Sequence, residues 1–524
     1  MERPPFAPPL PGSPSASALR WLGALAVGAV VLHVLARFWL ASEGRFFATE
    51  DDGYRAYYGH LVAEGTGSVL GRFWLPGQFF VLGALGRAGL DAALAPQVLG
   101  AITFVITLVA VYSLARDLAP EGWGEAAGRG AVAVAGCSPL LLVLSHSALA
   151  EPLANALVAF AAAALARRHR VGPRRLVWSG SLAMLLATWV RYETWAYALA
   201  FVLAAIVLAR RREGRRVALG DGAVACLTLL GPVSWLVAQH VEHGDPFAFL
   251  RTIDEMASTL SGEASRERVA VARFEALTLW AGLAVIASST ALLLASRHLR
   301  ALLPVSLVAA VGLPGLVLQI ATGKGLAVFM IAGREVEFFE PRLVSNLEVG
   351  LFPLAGVGLS MLLARPETGA RLALAGLASI ALALGARGVL EPMSYVDASS
   401  VAAGLALRRG ELEAVLGDGA LLVERVEPRP PMGWASLSVQ WSSWNRTVFF
   451  TRRGESCELV EASDVVGGRL RLPCGELSRW AEHRGVTAAW VLSEPASALF
   501  DAEWPAAPYR RIGTGRLVSL VEAR

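Results

Sequence analysis

The chain is 524 residues long, 55% hydrophobic and only 17% charged, with a mean hydropathy of +0.51. Soluble domains carry roughly a quarter charged residues and stop enlarging one core near about 250–300 residues, so this much Leu, Ala and Val has no watery surface to lie beneath. An ordinary cytosolic enzyme, a disordered chain and a disulfide scaffold are excluded, and the net charge of +4 is spread as short arginine runs between apolar stretches, which is a membrane pattern rather than a nucleic-acid patch.

Residues 1–18, rich in Pro and Ser, read as a disordered cytoplasmic N-terminus. Trp21 to Leu40 is long enough to cross a bilayer; it is long for a signal peptide and contains His33 and Arg37, so it reads as a retained helix. Residues 78–90 are apolar but too short to span, and suit a helix lying in the interface. Further spans read at 93–115, 129–148, 152–166, 176–192, 194–209, 217–240, 276–296, 301–321, 343–364 and 372–390. The total is about eleven, each near the ~20 residues a bilayer needs.

Charge orients them. Arg167, Arg168, Arg170, Arg174 and Arg175 share one linker, and Arg210, Arg211, Arg212, Arg215 and Arg216 another. Arg116, Arg129, Arg297, Arg300, Arg365 and Arg371 occupy linkers of the same parity, all on the inner side if the N-terminus is cytoplasmic. The alternate segments 41–92, 241–275 and 322–342 then face outward and hold most of the carboxylates and aromatics. The tail also faces outward.

In that tail, the runs ALLVERV, TVFF, TAAWVL and RLVSLVEA read as strands, with a helical stretch around 401–416. Residues 391–524 are therefore expected to form a small extracytoplasmic α/β domain behind a transmembrane domain at 19–390. Cys457 and Cys474 lie in this tail and would pair in an oxidising compartment. Trp434, Trp441 and Trp444 suit either a small core or stacking on sugar rings. One lysine, Lys324, stands against abundant Arg, Ala and Gly, which reads as GC-rich coding and a bacterial chain in its inner membrane. No P-loop, dinucleotide fingerprint or nucleophile elbow is found.

The chemistry-bearing residues lie in the outward segments. Glu50, Asp51 and Asp52 are consecutive, ten residues after the first span. Adjacent carboxylates repel, which raises a pKa or invites a cation; one suits a general base for an acceptor hydroxyl, and Asp51 with Asp52 is also a ligand pair for a divalent metal ion. Tyr54, Tyr57, Tyr58, His60, Gly65 and Arg72–Gly77 follow. Lys324, Arg334 and Arg342 share a loop with Glu335, Glu337 and Glu340, either a solvated mixed-charge loop or a phosphate cradle. His240 and His243 with Asp245 have the spacing of metal ligands but sit at a span's end, where interfacial histidines are commoner.

With the acidic pair, the Tyr-rich stretch and the Trp74-Leu75-Pro76 segment in this order, the chain resembles the GT-C superfamily of integral-membrane glycosyltransferases, its bacterial protein-mannosyltransferase-like branch in particular. Ser145 to Leu153, with Glu151-Pro152, resembles the family's outer turn between spans three and four. Thr188 to Glu193 resembles its Arg-bearing turn between spans five and six, and Glu340 to Leu343 with Pro353 its late Arg-Tyr-x-x-Pro segment, with Leu343 in place of the Tyr.

The resemblance implies a transferase drawing on a polyprenyl-phosphate-linked sugar and acting on an acceptor (protein, lipid or glycan) at the periplasmic face, with no nucleic-acid partner. Asp51 would be the base, Asp52 its partner and Glu151 a second acid. Arg191 and Arg342, joined by Lys324 and Arg334, would neutralise the donor phosphate, while Tyr54, Tyr57 and His146 would meet substrate. A departing lipid phosphate needs cations and an acceptor hydroxyl needs a carboxylate, so the residue types suit the reaction. A multi-span transporter or flippase for a lipid-linked substrate is the other reading. It predicts ionisable groups at mid-bilayer depth, and the spans hold few.

Overall fold

A computed structural model describes residues 14–42, 50–65, 74–90, 94–251, 326–331, 334–339, 345–363, 417, 419–424, 447–461, 470–491, 493–512 and 515–520. The expected spans at 276–296, 301–321 and 372–390, the helical stretch at 401–416, and Lys324 and Arg342 lie outside them.

The first helix, α1 (Ala16–Ser42), starts three residues ahead of the boundary drawn at 19, with Ser15 Oγ accepting from the Ala18 N–H. Leu22, Ala26, Ala29 and His33 recur at helical spacing and are buried, while Trp21, Leu25, Val31, Leu32, Leu35 and Phe38 stand exposed. So apolar an outer face is stable only against lipid. Then follow α2 (Glu50–Glu64), α3 (Gly77–Arg87), α4 (Leu94–Leu118), α5 (Gly124–Gly136), α6 (Pro139–His146), α7 (Glu151–Val171), α8 (Arg175–Thr188), α9 (Thr194–Glu213), α10 (Arg215–Ala225) and α11 (Leu230–His243). Among the described residues, four segments are long and apolar enough to cross a bilayer: Ala16–Phe38, Leu94–Leu118, Thr194–Glu213 and Arg215–His243.

The segment expected as one span at 129–148 is two helices, α5 and α6. Pro139 cannot donate a backbone N–H, and Ser138 caps the new helix by accepting from Leu141 N–H at 3.1 Å. The shared core joins Phe104, Val111, Leu114, Met184, Tyr197 and Phe201 to the alanines of α7 and to Phe352 of α12 (Ser345–Leu363). Small residues set the spacing. A Cβ on Gly130 of α5 would lie 2.7 Å from the Gly356 carbonyl oxygen of α12, so these two helices cross backbone to backbone.

The loop expected at 322–342 contains an antiparallel hairpin, β1 (Leu326–Ile331) against β2 (Arg334–Phe339). The tail folds into a seven-stranded sheet of β3 (Ala420–Glu424), β4 (Thr447–Arg453), β5 (Ser456–Glu461), β6 (Leu470–Pro473), β7 (Val486–Val491), β8 (Tyr509–Ile512) and β9 (Gly515–Ser519), in the order β6-β5-β4-β3-β7-β9-β8. Among the described strands only β3 pairs in parallel, with β4 on one side and β7 on the other, and all five of its residues are buried. A parallel strand covered on both faces needs such a continuous apolar run. Helices α13 (Leu477–His483) and α14 (Glu494–Glu503) complete this unit, and a disulfide joins Cys457 of β5 to Cys474 just after β6.

Candidate functional site

The site is built on the turn between α6 and α7, where residues 144–150 are all buried. Glu151 opens α7 directly before Pro152, a position that suits both: the proline needs no N–H there and the carboxylate meets the positive end of the helix. The side chain is only 2% exposed. Arg191, from the turn between α8 and α9, reaches it: Nη1 donates to Glu151 Oε1 at 2.6 Å. The same guanidinium grips Glu193 with its other edge, Nε to Oε2 at 3.1 Å and Nη2 to Oε1 at 2.6 Å. Burial alone would raise the Glu193 carboxyl; the bonded Arg191 guanidinium overrides it, and with Arg55 adding to the field holds the group below the usual carboxylate range.

Local chemistry fixes that turn. Thr194 Oγ1 is within bonding reach of the Ala187 and Arg191 carbonyls, at 2.9 and 2.6 Å, and Trp195 Nε1 donates to Thr188 O at 3.0 Å. Beneath it, Tyr192 stacks on Phe249 at 4.8 Å, with Trp195 and Trp235 packed edge-on to the same ring.

Helices α2 and α3 close the site from the other side. The Gly77 N–H donates to Trp189 O at 2.8 Å, and a Cβ at 77 would lie 2.7 Å from that oxygen, so glycine is required for α3 to dock. Gln78, one residue on and 1% exposed, donates from Nε2 to the carbonyls of Ala148 (2.6 Å) and Leu149 (2.8 Å) and accepts at Oε1 from Arg55 Nη1 (3.0 Å). Arg55, itself buried, lies over the Trp74 ring at 5.1 Å, and Tyr58 meets Trp74 and Phe79 edge-on or tilted.

A continuous chain of polar contacts therefore runs from α2 through Arg55 and Gln78 to residues 148 and 149, two positions from the Glu151–Arg191 pair. Asp51 and Asp52 stand in the first turn of α2, four and three residues before Arg55.

Tyr54 and Tyr57 are likewise in α2. His146 ends α6, its side chain 3% exposed and its carbonyl accepting from Gln97 Nε2 at 2.7 Å. Arg334 begins β2 opposite Ile331 of β1. Among the described residues no group of three or more His, Cys, Asp or Glu gathers; His240 and His243 lie in the last turn of α11, and Asp245 pairs with Arg251 at 2.7 Å.

Sequence reasoning passed over Arg55, Gln78 and the carboxylate grip of Glu193. Arg55, like Arg191, is an arginine in a segment expected to face outward, against the charge bias, and carries the same signal. Gln78 carried a signal too, as the polar residue heading an otherwise apolar helix. A second polar set escaped notice: His33 Nε2 lies 3.1 Å from Ser145 Oγ, its ring stacked on Phe104, and Arg37 Nη2 donates to Gln97 O at 2.9 Å. These contacts hold the other end of the 145–151 segment. The site thus sets two carboxylates and two guanidiniums around a rigid turn, a pattern suited to orienting a polar substrate and balancing charge that develops on it.

No family model and no curated protein matches the chain. Among solved structures, ArnT from Cupriavidus metallidurans bound to undecaprenyl phosphate aligns at 14% identity with a TM-score of 0.55, covering 94% of this chain and 98% of that one. The same protein in the apo state aligns at 16% identity and a TM-score of 0.54 with the same coverage. The Archaeoglobus fulgidus oligosaccharyltransferase in the apo form aligns at 12% identity and a TM-score of 0.43, covering 93% of this chain and 71% of that one. The likeness to ArnT is one of fold, and it agrees with the helices that, among the described residues, are long and apolar enough to cross a membrane.

Proposed function

We propose that this chain is an integral-membrane glycosyltransferase, moving a sugar from a polyprenyl-phosphate-linked donor to an acceptor hydroxyl at the periplasmic face of a bacterial inner membrane. The observation that carries the reading is the tether from α2, the helix of Asp51 and Asp52, through Arg55 and Gln78 to the turn that precedes Glu151 and its partner Arg191. The ArnT fold, found in one structure with undecaprenyl phosphate, supports the donor class. The Cys457–Cys474 disulfide supports an outward tail at 391–524, since such bonds persist in oxidising compartments. About eleven spans with a cytoplasmic N-terminus complete the proposed topology.

In the proposed reaction the acceptor oxygen attacks the anomeric carbon and Asp51 takes the hydroxyl proton, with Asp52 beside it. The bond from that carbon to the donor phosphate oxygen breaks, and the electron pair leaves on the lipid phosphate. One displacement inverts the anomeric centre. The growing phosphate charge falls to Lys324, Arg334 and Arg342. Arg191, with carboxylates on three of its nitrogens, instead fixes Glu151. Tyr54, Tyr57 and His146 complete the substrate side. Asp51 and Asp52 are also the pair that would hold a divalent ion, and turnover with and without chelator reads that directly.

The test is release of lipid phosphate from a polyprenyl-phosphate sugar by the purified protein. Asp51→Asn is expected to lower it by about a hundredfold or more while expression and melting stay unchanged. Full turnover by that variant overturns the assignment.

A further inference from the structure

At the opposite ends of α7 to α10 the arginines divide into two populations. One is bonded to carboxylates or backbone carbonyls of the bundle, with Arg168 buried and the others partly exposed. Arg168 bonds Glu213 at 2.6 Å and Asp221 at 3.0 Å; Arg174 bonds Asp221 at 3.2 Å; Arg167 and Arg170 share Asp117; and Arg212 donates to the carbonyls of Arg168 and His169. These contacts bring the ends of α7, α8, α9 and α10 together.

The other population has no such use. Arg175, Arg210, Arg211, Arg215 and Arg216 are exposed and have no carboxylate partner among the described residues. The ten arginines of the α7–α8 and α9–α10 connections outnumber the carboxylates they bond among the described residues, Asp117, Glu213 and Asp221, so these connections keep a positive excess.

Depth identifies what covers them. Thr194–Glu213 and Arg215–His243 are consecutive spans joined only by Gly214, whose φ of +88° turns the chain back on itself. Arg210, Arg211, Arg215 and Arg216 thus stand at the shared end of two spans, and the Arg174–Asp221 bond draws Arg175 to the same place. Residues at the end of a span lie at headgroup level, where the anions at hand are phospholipid phosphates, and guanidiniums take phosphate oxygens in pairs.

We propose that this end of the bundle is a binding surface for anionic phospholipid headgroups, held by Arg175, Arg210, Arg211, Arg215 and Arg216 and separate from the site around Glu151. The surface needs no glycosyl transfer, so it stands or falls independently of the proposed reaction.

The test uses the full chain in neutral detergent, with thermal unfolding followed as phosphatidylglycerol, phosphatidylcholine or inorganic phosphate is titrated. Phosphatidylglycerol is expected to raise the unfolding midpoint saturably, phosphatidylcholine and inorganic phosphate not to, and the effect to weaken as ionic strength rises from about 0.05 to about 0.5 M. Replacing Arg211, Arg215 and Arg216 together by Gln should weaken the apparent affinity about tenfold or more, while the corresponding triple Lys variant stays within about threefold of the parent. Equal stabilisation by the two lipids, or an unchanged titration in the Gln variant, overturns the proposal.

Discussion

Arg191 Nη1 lies 2.6 Å from Glu151 Oε1, joining the turn between α8 and α9 to the first turn of α7 across forty residues of chain. Both side chains are largely withdrawn from solvent, 11% and 2% exposed. Removing one partner of a buried pair leaves the other charge uncompensated, at a cost of about 3–5 kcal/mol. Arg191→Met, which strips Glu151 and Glu193 of their shared guanidinium, is therefore expected to lose stability on that scale in chemical unfolding, and Glu151→Arg with Arg191→Glu to recover part of what either reversal loses alone. Additive losses in the double variant would dismiss the pair as a coupled unit.

Gln78 satisfies three buried groups with one amide. Gln78→Met keeps the length and apolar volume but strands the Ala148 and Leu149 carbonyls and one Arg55 donor, each worth about 1–3 kcal/mol when left unpaired. The expected loss is at least about 2 kcal/mol in unfolding, with a fall in kcat larger than any rise in KM because α2 loses its register on Glu151. A variant with parent stability and turnover would show the tether to be dispensable.

The Glu193 carboxyl is held below its usual range by Arg191 against the opposing effect of burial. A carboxylate whose folded pKa is depressed adds stability that is complete above its unfolded value, about 4.3, and is lost as pH falls through the lower folded value. The stability gap between the parent and Glu193→Gln should thus be constant from about pH 8 to about pH 5 and close on further acidification. A gap that opens instead toward low pH contradicts the arrangement.

Cys457 and Cys474 close a loop with a sequence separation of 17. Loop-closure entropy for that length is about 3 kcal/mol, so Cys457→Ser with Cys474→Ser should lower the stability of the tail by roughly that amount, read by the tryptophan fluorescence of Trp490 and Trp480. Thiol labelling of unfolded parent protein should block neither cysteine unless reductant is added first.

How far the sequence leads differs by element. The apolar segment read at 93–115 appears as α4 and that at 194–209 begins α9, because a long run of Leu, Val and Ala with arginine at its end carries its own boundaries. The strand runs read in the tail correspond to β3, β4, β7 and β9, whose residues are mostly apolar. Strands β5, β6 and β8 went unseen: SCELVE, LRLP and YRRI gain their strand form from pairing with neighbours rather than from their own pattern. The break between α5 and α6 was legible in Ser138-Pro139, a cap followed by a helix-starting proline, but the apolar run around it masked the signal.

The sequence by itself determined residence in the membrane, the order of the apolar helices, the arginine-bearing ends and the acidic connecting segments, because hydropathy and charge act on each segment separately. Only the tertiary structure decided that Arg191 spends its donors on Glu151 and Glu193, that Arg55 reaches the same turn through Gln78, and that Arg175, Arg210, Arg211, Arg215 and Arg216 have no carboxylate partner among the described residues. Those outcomes depend on how closely backbones approach at Gly77 and on which helices share an end. Such distances are set by packing between segments tens of residues apart, which no local pattern encodes.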